Sequence, residues 1–97
     1  MLQLLGLAAR AGAVVPGTER VREGVRAGKI RFALVAADLT GTGRDKLVPM
    51  LEGRSVPFAE RYDRAELGRA VGKSPLAAVG VTDRGFADRL AALLEIG

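Results

Sequence analysis

Apolar and polar positions alternate along this chain in a way that predicts strands and helices in turn. Two segments, Ile30–Ala37 and Leu76–Thr82, are almost continuously apolar, as expected for strands covered on both faces of a sheet. Short apolar segments at Val14–Val15 and Val56–Ala59 predict two further strands. Pro57 places the last of these near an edge, because proline cannot donate to a strand ladder.

Between these strands, apolar residues recur at the three- and four-residue spacing of helices that bury one face. The predicted helices are Met1–Ala11, Thr18–Ala27, Arg44–Glu52, a helix capped by Asp63 that runs through Val71, and a last helix capped by Asp83. A Gly- and Thr-rich loop is predicted over Asp38–Gly43. The buried stripes are Val21, Gly24, Val25 and Gly28 in the second helix, and Phe86, Leu90, Leu93 and Leu94 in the last.

Four strands that alternate with five helices predict an α/β fold, a three-layer α/β/α sandwich with a four-stranded mixed sheet. The 97 residues are enough for one modest core, and no linker or repeat interrupts the pattern. We therefore expect a single domain over residues 1–97. Aromatic residues make up only 4% of the chain, so the core must consist of Leu, Val and Ala.

Composition excludes several classes of chemistry. The chain has no Cys and no His, which rules out disulfides, zinc sites with Cys or His ligands, and His- or Cys-based nucleophilic catalysis. No cluster of Asp and Glu has the spacing of a metal loop. The first nine residues are apolar but too few to span a membrane, and no basic leader precedes them. We expect a cytoplasmic monomer with no membrane contact, no metal and no cofactor.

Three glycine-containing segments resemble phosphate-binding loops, and none matches. Gly12–Gly17 is followed by Thr18 where Lys is required, and the glycines of Gly68–Ser74 are one residue too close. Gly41–Lys46 is merely Gly-rich. No constellation of acid, base and nucleophile is visible, so we predict that the chain is not an enzyme.

The turn at Gly17 is the clearest candidate site. It joins a short strand to a helix, and Thr18 is predicted to be the N-cap of that helix. A helix that opens this way directs unpaired N–H groups and a positive dipole end outward, which suits a phosphate or a base edge. Arg20, Arg22 and Arg26 follow, and the net charge of the chain is +4, so a polyanionic partner is expected.

Three further segments accompany this turn: Leu5–Gly12, Ala65–Lys73 and Val79–Ala87. Together the four resemble the YlxQ-type bacterial branch of the kink-turn-binding ribosomal-protein superfamily, over nearly the whole chain. The resemblance implies the archaeal and eukaryotic large-subunit ribosomal protein fold. It also implies a non-enzymatic, RNA-binding accessory role connected with translation. The implied partner is structured RNA, either ribosomal RNA or an mRNA leader, with the ribosome as a further partner.

The family motif, laid on this chain, keeps only its glycine. It reads Gly, any residue, Asn, Glu, two variable residues and Lys. Gly17 matches the glycine, whereas Glu19, Arg20 and Glu23 stand at the Asn, Glu and Lys positions. The charge pattern is nearly inverted, so weaker recognition of a standard kink-turn is expected.

The resemblance also implies a second recognition element, the loop before the last strand. In this element Lys73 supplies charge, Ser74 a hydroxyl and Leu76 an apolar contact to a splayed base. The candidate RNA-binding residues are therefore Gly17, Thr18, Glu19, Arg20, Arg22, Glu23, Lys73, Ser74, Pro75 and Leu76.

Simpler interpretations stay open at both places. Glu19, Arg22, Glu23 and Arg26 also have the spacing of a solvated helix face held by ion pairs. The loop that contains Pro75 also fits a plain connection between a helix and a strand. An alternative function is therefore a protein-interaction module that kept the fold and lost kink-turn recognition.

Overall fold

The computed structural model of the protein describes residues 1–94, and nine elements follow one another along that part of the chain. They are α1 (Leu2–Arg10), β1 (Val14–Pro16), α2 (Thr18–Arg26), β2 (Phe32–Val35), α3 (Gly41–Gly53), β3 (Phe58–Glu60), α4 (Arg64–Ala70), β4 (Ala78–Val81) and α5 (Arg84–Leu93). Their types and order confirm the α/β class. Residues 95–97 of the predicted domain lie outside the described residues, and the single domain over 1–97 stays a prediction.

The four strands form one mixed sheet in the order β1-β4-β2-β3. β4 runs antiparallel to both β1 and β2, and β2 runs parallel to β3. Every residue of β2 and β4 is buried, which confirms the two predicted central strands. β3 lies at an edge directly after Pro57, also as predicted.

Helices cover both faces of this sheet, and the side chains of β2 alternate between the two faces. Phe32 and Leu34 belong to an apolar cluster with residues of α1, α4 and α5. Ala33 and Val35 belong to a second cluster with residues of α2 and α3. Because successive strand residues point to opposite faces, one short strand contributes to two cores. This arrangement confirms the three-layer sandwich.

Both predicted aspartate caps are present. The Asp63 carboxylate accepts a hydrogen bond from the Glu66 backbone N–H at 2.8 Å, and the Glu66 side chain accepts one from the Asp63 N–H at 3.0 Å. This reciprocal pair is a capping box. Asp83 accepts from the Phe86 N–H at 2.9 Å. α4 and α5 therefore begin where the sequence places them.

Two predicted helix starts are wrong. Thr18 is the first residue of α2 and not its N-cap, because the cap position is occupied by Gly17 in a conformation with φ 95°. α3 begins at Gly41, inside the predicted loop. A Cβ at Gly43 would lie 3.0 Å from Leu39 Cδ1. The start of α3 therefore packs closely against the Leu39 side chain. Helix forms here although the glycines of this stretch have a low intrinsic helix propensity.

Two residues of the predicted buried stripes are exposed. Leu93 is 58% exposed, whereas Leu90 and Leu94 are buried. Leu90 and Leu94 are four residues apart and therefore lie on the same face of the helix. Leu93 lies beside that face and lines an open cleft together with Leu4. Gly28 is exposed because it follows the end of α2.

A bidentate ion pair connects α3 to the edge strand β3. Arg44 donates from Nε to Glu60 Oε2 at 2.8 Å and from Nη2 to Glu60 Oε1 at 2.6 Å. The hydrogen bond from Arg44, aided by its charge, holds the pKa of the Glu60 carboxyl below its ordinary value, although partial burial opposes the shift. The pair therefore helps to fix the outermost strand.

The Leu34→Ala variant should lower the free energy of unfolding by about 2–5 kcal/mol, because Leu34 is fully buried and its truncation leaves a cavity. Urea unfolding of the purified protein measures the change. Leu93→Ala is the matched control at an exposed position and should change stability by less than about 0.5 kcal/mol. A Leu34→Ala loss no larger than that of the control would contradict the assignment of β2 to the core.

The Glu60→Gln variant should be less stable than the parent protein at neutral pH, and the difference should shrink as the solution is acidified. Because the pKa of folded Glu60 is lowered, its contribution is present above the ordinary pKa of a glutamate. It is lost as the pH falls through the lowered value. Urea midpoints across the acid range test this, and a gap that stays constant argues against it. In an Arg44→Gln background the same substitution should give no pH-dependent gap.

Candidate nucleic-acid interface

The turn at Gly17 is held at the end of the β1–β4 ladder. The backbone N–H of Gly17 donates to the carbonyl of Ala78 at 2.8 Å, one step beyond the Pro16–Val79 pair. With φ 95° and ψ 147°, Gly17 has a backbone conformation that L side chains rarely adopt. The chain turns at this point from the β1–β4 strand pair into α2.

The N-terminus of α2 is left without a side-chain cap. Gly17 has no side chain to offer, and the first intrahelical bond runs from the Val21 N–H to the Gly17 carbonyl at 2.9 Å. The amides of Thr18, Glu19 and Arg20 therefore precede the helical ladder. Such amides, together with the positive end of the helix dipole, favour an anion at this place.

The loop between α4 and β4 lies beside this turn. Two of its backbone hydrogen bonds connect it to α4: Lys73 N–H donates to the Gly68 carbonyl at 2.8 Å, and Leu76 N–H donates to the Arg64 carbonyl at 3.1 Å. The loop then enters β4 at Ala78, the residue that accepts from Gly17. The structure thus brings the two predicted recognition elements together, although they are far apart in sequence.

The exposed residues of this loop include Lys73, Ser74 and Pro75. Leu76 is half-buried and packs against the apolar cluster beneath α4, so only part of its side chain faces the surface. The roles assigned to these four residues in RNA contact stay predictions.

The absence of a side chain at Gly68 fixes how closely the loop approaches α4. An added Cβ would lie 2.3 Å from the Ser74 carbonyl oxygen and 2.9 Å from Pro75 Cα. Backbone atoms cannot move aside as a flexible side chain does, so any larger residue displaces the loop. Gly68 therefore positions the loop of the candidate surface, and no local sequence pattern indicates this contact.

The charged residues on α2 are not equivalent. Arg22 Nη1 contacts Glu19 at 3.0 Å, with Arg22 19% exposed and Glu19 71% exposed at their side chains. The Arg22 Nε is buried without a partner among the described residues. Arg20 and Glu23 are exposed and form no ion pair within residues 1–94. Among the described residues, the predicted face of ion pairs is therefore limited to one pair, and Arg20 is an exposed cation in the first turn of α2.

Two arginines that sequence reasoning did not select add charge beside the loop. Arg10 of α1 and Arg69 of α4 line one cleft together with Gly72, and both are exposed. Each lies near the end of its helix, but their proximity follows only from the packing of α1 against α4. The charge around the candidate site is thus more positive than the α2 segment alone indicates.

Residues 1–94 contain no group of three or more Asp, Glu, His or Cys side chains able to hold a metal ion. Within the same range, no helix has both the length and the apolar character needed to cross a membrane.

The profile of the Ribosomal protein L7Ae/L30e/S12e/Gadd45 family matches residues 1–91. The "RNA-binding protein YlxQ" of Bacillus subtilis (strain 168) is 37% identical over 92 residues, which are 95% of this chain and 92% of that protein. The "RNA-binding protein YlxQ" of Enterococcus faecium is 32% identical over 94 residues, 97% and 90% of the two chains. These matches confirm the predicted resemblance and agree with the expectation of a protein that is not an enzyme.

Solved structures with the same architecture support this comparison. A protein with unknown function from Bacillus halodurans superposes with a TM-score of 0.92 at 36% identity, covering 97% of this chain and 95% of that one. A Giardia lamblia 15.5kD RNA binding protein superposes with a TM-score of 0.79 at 22% identity, covering 97% and 83% of the two chains. The second likeness shows the fold alone.

The Gly68→Ala variant should lose about 1–3 kcal/mol of stability, because the new Cβ overlaps the Ser74 carbonyl and forces the loop outward. Urea unfolding measures the loss, and faster amide exchange at Lys73 reports the displaced loop. Gly53→Ala is the matched control at the end of α3, where nothing lies within 4 Å of the added Cβ. It should stabilise by about 0.5–1 kcal/mol. Equal effects at both positions would contradict the proposed packing.

Proposed function

This chain belongs to the Ribosomal protein L7Ae/L30e/S12e/Gadd45 family, and from that premise we propose that it is an RNA-binding accessory protein for structured RNA. One observation carries the proposal: the uncapped N-terminus of α2 lies beside the exposed loop at Lys73–Pro75. The hydrogen bond from Gly17 to Ala78 holds the two together. Two curated relatives of similar length are named as RNA-binding proteins.

The binding follows from the charges and amides around Gly17. The free amides at the start of α2 take one phosphate, while Arg20 and Lys73 pair with phosphates on either side. Ser74 donates or accepts at a base edge or a ribose, and the exposed part of Leu76 contacts an unstacked base. The partner is kink-turn-like RNA of the ribosome or of an mRNA leader, bound by a monomer in the cytoplasm.

The specificity of the site differs from the family motif because of three residues. Glu19, Arg20 and Glu23 stand where the motif has Asn, Glu and Lys, and all three are exposed. Arg22 is engaged by Glu19, so its contribution to phosphate binding is smaller than that of Arg20. We propose that affinity here comes mainly from phosphates and less from base contacts.

A second candidate function is a protein-interaction module of the same fold. The observation that favours it is a cleft between α1 and α4 whose lining includes Leu2, Leu7 and Ala70. Leu7 is 49% exposed there, and exposed apolar surface of this kind is typical of protein contacts.

Restoring the motif with Glu19→Asn, Arg20→Glu and Glu23→Lys should raise affinity for a kink-turn RNA, because the base-reading pair and the phosphate-binding cation return to their positions. Fluorescence anisotropy measures binding to a kink-turn RNA and to a plain duplex RNA. The triple change raises the net charge by one unit, so Glu52→Gln, on α3, is the matched control for charge.

A gain in affinity confined to the kink-turn RNA supports the proposed site. An equal gain in affinity for both RNAs reflects only the added positive charge. If the affinity does not rise, the double variant Arg20→Ala, Lys73→Ala distinguishes RNA binding at this surface from the protein-interaction module. Binding should fall for all RNAs, and the slope of log K against log salt should shrink by about 2. Unchanged RNA binding in that variant would exclude this surface and favour the protein-interaction module.

A further inference from the structure

A second basic surface lies at the other end of the sheet. Arg31, Arg54 and Arg84 line one cleft of about 330 Å³, called the arginine cleft from here on. All three are exposed. They come from separate parts of the chain: Arg31 precedes β2, Arg54 follows α3 and Arg84 begins α5.

The register of β4 places this cleft opposite the Gly17 turn. Arg31 N–H donates to the Val81 carbonyl at 2.7 Å, at the last residue of β4. Gly17 bonds to Ala78, the first residue of the same strand. The two surfaces are thus attached at opposite ends of β4, whose backbone alone spans about 10 Å at ~3.4 Å per residue.

No carboxylate among residues 1–94 lines the arginine cleft, and none of its three arginines forms an ion pair within that range. Asp83, which precedes Arg84 in the chain, accepts from the Phe86 N–H as the cap of α5. Arg84 occupies the first position of α5, where the helix dipole disfavours a cation. Three exposed like charges around one cleft, with no carboxylate of residues 1–94 in its lining, favour an anion at this place.

We propose that the arginine cleft is a second, separate binding surface for the phosphates of the RNA backbone. Guanidinium groups match phosphate oxygens in pairs, and three of them on an open surface fit successive phosphates of a polyanion. Within residues 1–94, no aromatic side chain lines the cleft to stack on a base, so this contact carries no sequence preference. The proposal rests on the proposed function and adds that RNA held at Gly17 extends to the opposite end of the sheet.

The first test removes two of the three charges. Arg54→Gln with Arg84→Gln is compared with Lys46→Gln and Arg89→Gln, which lower the charge equally at exposed positions of α3 and α5. Each protein is titrated with a minimal kink-turn RNA and with one whose arms extend beyond the domain, which is 29 Å in its longest dimension. The cleft variant should lose about threefold to tenfold in affinity for the long RNA only. Its salt slope should shrink by about 1–2.

Other results of that titration are equally decisive. An equal loss in the control variant, or no loss in the cleft variant, overturns the proposal. If the Arg20→Ala, Lys73→Ala variant keeps its affinity while the cleft variant loses it, the Gly17 surface fails and the cleft stands. If the parent protein binds neither RNA, the proposed function itself fails and this inference with it.

The second test uses the absence of cysteine from the chain. Ser55 lines the arginine cleft and Ser74 lies in the loop beside Gly17, so Ser55→Cys and Ser74→Cys each give one attachment point for a short photoactivated azide. Both adducts should cross-link to the long RNA, at different nucleotides. Cross-linking from position 74 alone overturns the proposal, and cross-linking from position 55 alone excludes the Gly17 surface instead.

Discussion

The burial of β4 between β1 and β2 is the constraint on which the rest of the molecule depends. All four of its residues are buried, and its backbone is paired on both sides. A strand in this position can be formed only by an apolar segment whose every N–H and C=O finds a partner. Helices must then cover both faces of the sheet, and the two cores follow from that requirement.

The candidate RNA surface follows from the same strand. Because β1 and β4 are antiparallel, β1 ends where β4 begins, and the turn after one meets the loop before the other. Two glycines, Gly17 and Gly68, then determine how the turn and the loop meet. Gly17 provides the backbone conformation of the turn, and Gly68 leaves room for the backbone of Ser74 and Pro75. The position of this surface thus depends mainly on backbone contacts, which explains how the fold tolerates the changed motif at Glu19, Arg20 and Glu23.

The structure also divides the positive charges into those with partners and those without. Arg22, Arg44 and Arg64 each contact a carboxylate among the described residues. Arg20, Arg69 and Lys73 surround the Gly17 end, and Arg31, Arg54 and Arg84 surround the other. Cations without an ion pair among residues 1–94 thus gather at both ends of the sheet, so the net charge of +4 does not describe the local distribution of charge. Such gathering favours a partner that is itself extended and anionic.

The sequence by itself determined the elements of this protein. Apolar runs identified β2 and β4, helical spacing located the helices, and Asp63 and Asp83 marked two of their starts, since each of these signals acts within a few residues. The turn motif and the loop of the candidate site were also visible as segments. Tertiary structure decided the strand order, the helical start at Gly41, the exposure of Leu93, and which carboxylates Arg44 and Arg64 contact. These depend on distances between residues far apart in the chain, which local periodicity does not contain. The approach of Ser74 to Gly68, the Arg44–Glu60 pair and the arginine cleft therefore appeared only once the layers were packed.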